Sequence, residues 1–408
     1  MFKYIITLIS REGVCDKEKT CRIKGIMRTI AEINEKIKKG KAVVVTAEEV
    51  IDIVQEKGYK KAYETIDVVT TGTFGPMCSS GVFINFGHSN PPIRMQSIML
   101  NDVCAYGGLA AVDTYIGATE VSQKRGMEYG GGHVIEDLIA GKDIKLHALS
   151  SGTDCYPRKE ILTTINKDNI NQAYMFNPRN AYQNYPAATN STNKTIYTYM
   201  GTLLPNYGNI TYSTSGELSP LLNDPYLRTI GVGTRIFLGG GVGYVAWQGT
   251  QHKVDVERSA NGIPLVHAAT LAVIGDIKGM STEYVRGAVF DKYGVTLFVG
   301  VGVPIPVLDE EMLKYVSVKN SEIYTKLVDK SGNVNIDKKY NYAELRSGTV
   351  KFNGKAVHTA PLSSLDVARK IACTLKEWIN RGTFELTEKV ADLPCESVVH
   401  PLEIREIK

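Results

Sequence analysis

The sequence predicts a mixed α/β fold, of the α/β or α+β class, built as one large domain whose sheet topology the pattern leaves open. Residues 42–45 form an apolar run of strand length, residues 46–65 have helical character, and residues 67–71 form a second apolar run. Strand, helix and strand therefore alternate at short spacing, which favours an α/β arrangement. The 408 residues are 43% hydrophobic and 22% charged, which is the balance of a globular protein with a sizeable core.

The first helices are predicted from their periodicity and their capping residues. A helix is expected over 29–39, because isoleucines recur on one face and Gly40 follows as a stop signal. Thr46 and Glu49 have the spacing of a capping box, in which each side chain bonds the backbone of the other residue. The helix that they begin is expected to stop at Gly58, with a second short helix after it.

Apolar or alternating runs predict further strands, and these are 82–86, 143–149, 229–238, 271–275 and 295–302. Residues 309–355 are richly charged and hairpin-like. A last helix, capped by Ser363 or Ser364, presents an apolar face, and Cys373 on that helix is expected to lie in the core.

Composition excludes several classes of function. The net charge is only +4 and the basic residues form no long block, so nothing supports nucleic-acid binding. No apolar run is long enough to span a bilayer, and residues 1–9 are too short for a secretory signal. The seven cysteines are scattered, odd in number and without a C-x-x-C pair, so we expect no disulfide framework and no metal site. A reducing, cytoplasmic setting is the simplest interpretation.

Three regions are expected along the chain. Residues 1–26 are interpreted as an extension that is poorly ordered or that reflects a start codon assigned too early. Residues 27–390 form the large domain, and residues 391–408 form a tail. Cys15 and Cys21 lie in the extension, where they are only a minor candidate for a metal site.

Cys155 is the first candidate functional residue. It lies in the segment 152–159, with an acidic residue before it and two basic residues shortly after it. Nearby cations favour the nucleophilic thiolate, whereas the acidic residue opposes it. Pro157 is placed to begin a helix, and the N-terminus of that helix would also favour an anion at Cys155. A buried structural cysteine is the alternative interpretation.

Cys78 is the second candidate, in the small-residue segment 71–81 after a predicted strand. Loop N–H groups and serine hydroxyls there can hold an anion, although the spacing matches neither a Walker loop nor a dinucleotide fingerprint. A tight glycine-rich connection is the alternative. Because the segments of Cys78 and Cys155 both follow predicted strands, we expect a shared site.

Substrate-binding candidates come from three further regions. The segment 169–216 is dense in Asn, Tyr, Thr and Ser and is expected to form an ordered polar wall of the site. Arginine forks suit carboxylates, although an internal acid is an equally good partner for an arginine in a strand. Glycine permits close approach to a ligand. The candidates are Arg179, Asn180, Arg235, Gly240 and His252.

Several long irregular motifs together resemble one known family, the archaeal homocysteine-biosynthesis family, whose members act as L-aspartate semialdehyde sulfurtransferases. The resemblance covers roughly residues 27–394. The motifs that carry it are 67–81, 152–159, 176–180, 216–223, 235–241 and 359–364.

This resemblance implies an enzyme that inserts reduced sulfur into aspartate semialdehyde and forms homocysteine. It implies that Cys78 and Cys155 are the functional thiols. Our own hypothesis is that Cys155 carries the sulfur as a persulfide and that Cys78 is the resolving thiol, because cleavage of a persulfide needs an exchange partner within reach. The resemblance also implies a small ferredoxin-like partner that supplies electrons, so that this chain binds no cofactor itself. Many members continue into paired CBS domains, whereas this chain stops at Lys408. A homo-oligomer and a different aldehyde substrate stay open.

Two other functions are kept as alternatives. An acyl or coenzyme A transferase would use Cys155 as an acyl nucleophile and the glycine-rich loops for phosphates. A non-catalytic protein that binds a metabolite would leave both thiols inert.

Overall fold

The computed structural model describes residues 27–396 and 398–406, so the expected extension 1–26, with Cys15 and Cys21, lies outside the described residues. The described residues form seven α-helices. The helices are α1 Ile30–Lys38, α2 Glu49–Thr65, α3 Gly131–Ile139, α4 Pro220–Asn223, α5 Glu310–Val316, α6 Tyr342–Arg346 and α7 Leu365–Asn380.

The same residues form 26 strands. The first half are β1 Val44–Thr46, β2 Val68–Thr70, β3 Thr73–Pro76, β4 Gly81–Asn85, β5 Ser97–Leu100, β6 Val103–Ala105, β7 Asp113–Gly117, β8 Val121–Ser122, β9 Gly126–Gly130, β10 Ile144–Leu149, β11 Glu160–Ile165, β12 Gln172–Asn180 and β13 Ala187–Thr189. The second half are β14 Ile196–Thr198, β15 Gly201–Leu203, β16 Asn209–Tyr212, β17 Arg235–Leu238, β18 Gly241–Gln248, β19 Leu271–Asp276, β20 Val285–Phe290, β21 Gly294–Gly302, β22 Pro304–Pro306, β23 Tyr324–Asp329, β24 Val334–Asn341, β25 Thr349–Phe352 and β26 Lys355–Pro361.

The strands form five sheets, and the fold is mixed α/β. The largest sheet has nine strands in the order β20-β21-β17-β18-β19-β12-β4-β7, with β3 also paired to β21, and its pairs are antiparallel. A first six-stranded sheet has the order β11-β10-β5-β6-β8-β9, and a second has the order β24-β23-β13-β16-β26-β25. Three strands, β1-β2-β22, and the pair β14-β15 complete the set.

The predicted start and stop signals of the first helices are confirmed. Thr29 caps α1 by accepting a hydrogen bond of 3.2 Å from the backbone N–H of Glu32. Thr46 and Glu49 bond each other's backbone N–H at 3.2 and 2.7 Å, which is the reciprocal capping box. Gly58 has φ 74° and interrupts α2, so α2 consists of two helical segments, as expected.

Three predictions about local structure are wrong. Residues 160–165 form strand β11 rather than a helix, because their β-branched and apolar side chains pair with β10 from Leu149–Glu160 to Ile144–Ile165. The segment 71–81 contains strand β3 before its turn, so it is not a loop throughout. Cys373 is exposed on α7, because it lies two positions from the inward-facing Ile371 and Leu375.

The predicted strand over 229–238 is shorter in the structure and begins only at Arg235. Gly233 has φ 84°, in the left-handed region, and therefore breaks an extended run before that position.

Apolar residues gather into one large core and two principal smaller clusters. The large core fills the space between α3, α5 and the nine-stranded sheet, where Val134, Leu138 and Leu297 are fully buried. A second cluster underlies the sheet of β13, β16 and β26, with Tyr342 fully buried at its centre. The third joins α1 to α7. Within the described chain, no helix is long and apolar enough to cross a membrane.

Candidate active site

A cavity of about 340 Å³ lies where the nine-stranded sheet meets the six-stranded sheet of β13, β16 and β26. Strand β3 and the turn after it form one wall. The end of β12 and residues 181–185 form a second wall, and residues next to the ends of β16 and β26 form a third. The volume is near the lower limit of the roughly 300–1,000 Å³ that is usual for small-molecule sites.

Cys78 lies in the wall of this cavity, in the turn between β3 and β4, and is half-buried. The Thr296 hydroxyl is 3.5 Å from its Sγ. The turn is held to β12 by a hydrogen bond of 3.0 Å from Ser79 Oγ to Asn177 Oδ1 and by one of 2.8 Å from Asn177 Nδ2 to Ser80 Oγ. These bonds fix the thiol at the cavity surface.

Arg179 enters the same cavity from the last residues of β12. Its Nε is buried and has no hydrogen-bond partner, and within the described residues its guanidinium forms no ion pair. The side chain is half-buried, and the donor left without a partner is its Nε–H, which is costly because that N–H is removed from water. The arrangement is therefore suited to an anion, and the planar fork fits a carboxylate best.

Four tyrosines complete the wall, and these are Tyr182, Tyr185, Tyr199 and Tyr293. Burial raises the pKa of Tyr182, Tyr185 and Tyr293, and the nearby Cys78 thiol adds to this for Tyr182 and Tyr293. All three phenols therefore keep their protons at neutral pH and serve as hydrogen-bond donors. The density of tyrosine in 169–216 is the sequence signal for three of these residues, whereas Tyr293 lies outside that segment.

Cys155 does not line the cavity. It is exposed, in the loop 150–159 of the hairpin between β10 and β11. This loop contacts residues 88–92, because the Arg158 guanidinium donates to the carbonyl oxygens of Pro91 at 2.9 Å and Asn90 at 2.7 Å. The structure therefore places Cys155 on a surface loop and not at a helix N-terminus.

The two thiols do not share a site in this structure. Cys78 precedes β4, whereas residues 88–92, which hold the Cys155 loop, follow it. The five residues of β4 span about 16 Å at roughly 3.3 Å per residue. Strand β4 thus separates the position of Cys78 from that of Cys155.

Asn180 and His252 lie beside the cavity without lining it. Asn180 is fully buried, and its Oδ1 accepts a hydrogen bond of 2.6 Å from the Ala181 N–H while its Nδ2 has no partner. His252 is 2% exposed, and its Nδ1 lies 2.8 Å from the Thr270 carbonyl oxygen. Burial lowers the pKa of His252. The neighbouring Gln251 lines the cavity instead.

Arg235 and Gly240 lie elsewhere. The Arg235 guanidinium stacks on the Phe384 ring, 4.5 Å from its centroid, so its partner is the segment after α7 and not a ligand carboxylate. Gly240 is in the tight turn between β17 and β18 with φ 98°, and a Cβ there would meet Tyr284 and Ser281. Its glycine is required by this turn.

The comparisons with known proteins agree on a family. Residues 42–386 match the family model "Homocysteine biosynthesis enzyme, sulfur-incorporation". An L-aspartate semialdehyde sulfurtransferase of Methanosarcina acetivorans is 50% identical over 374 residues, which cover 91% of this chain and 73% of the relative. A protein of the same name in Methanocaldococcus jannaschii is 52% identical over 387 residues, which cover 90% of this chain and 74% of the relative.

A more distant relative in Methanothermobacter thermautotrophicus, described only as an uncharacterized protein, is 30% identical over 341 residues, with 81% of this chain and 74% of the relative covered. No solved structure matches at a significant level. Among the described residues, no group of three or more His, Cys, Asp or Glu side chains could hold a metal ion. The family model and the two relatives at about half identity show that the chain is an enzyme of the sulfur-incorporating homocysteine biosynthesis family.

Proposed function

We propose that this enzyme converts L-aspartate semialdehyde and sulfide into L-homocysteine. The net reaction joins the aldehyde, hydrogen sulfide, two electrons and two protons, and gives the thiol and water. The two relatives that are about half identical carry the name of this activity, and both are covered over nearly three quarters of their length.

The observation that carries the proposal is that one cavity holds a thiol and a guanidinium that has no ion pair among the described residues. The thiol of Cys78 lies at the cavity wall, where it can react with sulfur compounds. The buried Nε of Arg179 can donate a hydrogen bond to a carboxylate. Aspartate semialdehyde has one carboxylate and one aldehyde. If Arg179 binds the carboxylate, the aldehyde is directed toward the phenols and the thiol.

The proposed sulfur relay keeps electrons balanced without an added oxidant. Hydrosulfide opens a disulfide between Cys78 and Cys155, which gives a persulfide on Cys155 and a thiolate on Cys78. The terminal sulfur of the persulfide adds to the aldehyde carbon, and the carbonyl oxygen takes up a proton. The Cys78 thiolate then attacks the Cys155 sulfur, re-forms the disulfide and releases a hydroxythiol.

The last step is a reduction. The hydroxythiol loses water and becomes a thioaldehyde, which two electrons and two protons convert to the thiol of homocysteine. We propose that a ferredoxin-like iron–sulfur protein supplies these electrons.

The relay sets one structural requirement. Because β4 lies between the two thiols, the loop 150–159 must approach the cavity, either by its own movement or from a second copy of the chain.

The test is an anaerobic assay of the purified chain with sulfide, L-aspartate semialdehyde and reduced ferredoxin. We expect homocysteine from the wild type and none from Cys78→Ser or Cys155→Ser. Cys104→Ser is the matched control, because Cys104 is also half-buried but lies on β6, outside the cavity. Failure of the wild type to form homocysteine would refute the activity. A thioester on either cysteine, instead of the mass gain of one sulfur atom, would support acyl transfer.

A further inference from the structure

The hydroxyl of Tyr199 is at the centre of a hydrogen-bond network in the cavity wall. The ammonium Nζ of Lys330 donates a hydrogen bond of 2.6 Å to Tyr199 Oη, and the Tyr185 hydroxyl donates one of 3.1 Å to the same oxygen. An ammonium group can only donate, so Tyr199 must act as the acceptor in that bond. Both lone pairs of the Tyr199 oxygen are then used, and its own proton has no acceptor among the residues described.

The side chain of Lys330 interacts with this phenol. It is half-buried, and in the described part of the chain its Nζ forms no ion pair with a carboxylate. The same Nζ lies 4.9 Å from the centroid of the Tyr199 ring. A positive charge beside the oxygen stabilises the phenolate that would remain after Tyr199 gives up its proton.

Tyr199 and the Cys78 thiol face the same space. Both line the cavity, and Tyr293 lines it with them. The rings of Tyr199 and Tyr293 lie 6.3 Å apart, and the Cys78 thiol and Tyr199 both act to raise the pKa of Tyr293, after the effect of burial. The free proton of Tyr199 is therefore available to a molecule bound between these groups.

We propose that Tyr199 donates the proton to the aldehyde oxygen when sulfur adds to the aldehyde carbon. Lys330 positions the Tyr199 hydroxyl, and the positive charge of its ammonium group stabilises the phenolate that forms. This inference rests on the proposed function. In the step, the new bond joins sulfur to the carbonyl carbon and the π bond of the carbonyl breaks. The oxygen takes the Tyr199 proton, Lys330 and Tyr185 stabilise the phenolate, and solvent returns the proton afterwards. No electrons are exchanged.

The geometry selects Tyr199 among the four phenols. Tyr185 already donates its proton to Tyr199. Tyr182 lies beside the Arg179 guanidinium, where we place the carboxylate and not the aldehyde. Tyr293 is exposed, and among the described residues no lysine or arginine donates a hydrogen bond to its oxygen. Only Tyr199, within the described cavity wall, combines a free proton with an ammonium bound to its oxygen.

The kinetic test uses homocysteine formation. We expect Tyr199→Phe to lower kcat about 100-fold or more with KM for the aldehyde nearly unchanged, because a proton donor acts in the transition state. Lys330→Met should lower kcat about tenfold, and Lys330→Arg should restore most of it. In the double variant, Lys330→Met should cause no further loss beyond Tyr199→Phe, since it acts through the same oxygen.

A second lysine–tyrosine pair provides the control. Lys292 Nζ donates to the Tyr197 hydroxyl at 3.2 Å, and neither residue lines the cavity. Lys292→Met and Tyr197→Phe should keep the wild-type kcat. Wild-type kcat in Tyr199→Phe, or additive losses in the double variant, would overturn the inference.

A readout that needs no turnover separates this inference from the proposed function. L-aspartate semialdehyde should protect Cys78 from iodoacetamide by reversible addition of the thiol to the aldehyde, and Tyr199→Phe should weaken the protection about tenfold. If the wild type makes no homocysteine but shows this difference, the inference stands while the activity fails. Equal protection in Tyr199→Phe and the wild type would refute the inference, and so would absence of protection in the wild type.

Discussion

Cys78 and Cys155 lie beyond opposite ends of strand β4, one in the wall of a cavity and the other on an exposed hairpin loop. The half-buried thiol is held in a turn that is bonded to β12, and the exposed thiol is held only through its loop. A single protein therefore offers one thiol that faces a small molecule and one that faces solvent.

The first prediction concerns the reactivity of these two thiols in the reduced resting protein. We expect iodoacetamide to label Cys155 at least about tenfold faster than Cys78, because Cys155 is exposed and Cys78 is half-buried. Peptide mass spectrometry would measure each rate. Because β4 separates the thiols, Cys78→Ser should leave the rate at Cys155 within about twofold of the wild type. A large change at Cys155 would show that the thiols are in contact.

The second prediction concerns the attachment of the Cys155 loop. Arg158→Ala removes two hydrogen bonds to the carbonyl oxygens of Asn90 and Pro91, so the loop becomes freer to move. We expect a disulfide between Cys78 and Cys155 to form severalfold faster in this variant under a mild thiol oxidant.

Lys159→Ala is the matched control for this variant, because it removes the adjacent cation but leaves those two bonds. Equal rates in Arg158→Ala and the wild type would show that the loop is not what limits the approach of the two thiols.

The third prediction concerns Arg179. Arg179→Met should raise KM for L-aspartate semialdehyde about 30-fold or more, because a charge-assisted pair with a carboxylate is worth about 2–3 kcal/mol. Arg179→Lys should keep part of the affinity. Steady-state kinetics would measure both.

Arg235→Met tests whether the effect is specific to the cavity, since Arg235 packs on Phe384 outside it. A KM for Arg179→Met no higher than that for Arg235→Met would place the carboxylate elsewhere.

The separation of Cys78 from Cys155 was not predicted from the sequence, and the reason is physical. The rule that ligands lie at strand ends applies to parallel sheets, and it led to the expectation of a shared site. Here β10 is antiparallel to β5 and β11 in a six-stranded sheet, whereas β4 belongs to the nine-stranded sheet. The loops of Cys78 and Cys155 therefore belong to different sheets, and the rule for parallel sheets does not bring them together.

Local signals were more reliable than long-range ones. The capping box of Thr46 and Glu49 depends on residues three apart, and it was predicted correctly. The bond between Lys330 and Tyr199 joins residues 131 positions apart and connects the turn after β23 to the cavity wall, so no local pattern could indicate it.

The last prediction concerns acid stability. His252 is 2% exposed and burial lowers its pKa, so the folded protein disfavours the charged imidazole. Above the unfolded pKa of about 6.5, both states hold the neutral ring and the histidine has no effect. As the pH falls below about 6.5, the unfolded chain binds the proton first, so folding loses up to about 1.4 kcal/mol per pH unit from this group until the folded pKa is reached.

The His252→Gln variant should therefore lose less stability than the wild type between about pH 6.5 and pH 5. At pH 7 the variant should be less stable than the wild type, because the contact of the imidazole Nδ1 with the Thr270 carbonyl oxygen is lost. Urea unfolding at several pH values would measure the two slopes. His358→Gln is the control, because His358 is exposed on β26 and should leave the wild-type slope unchanged. Parallel curves for His252→Gln and the wild type would mean that His252 becomes protonated as easily in the folded protein as in the unfolded chain.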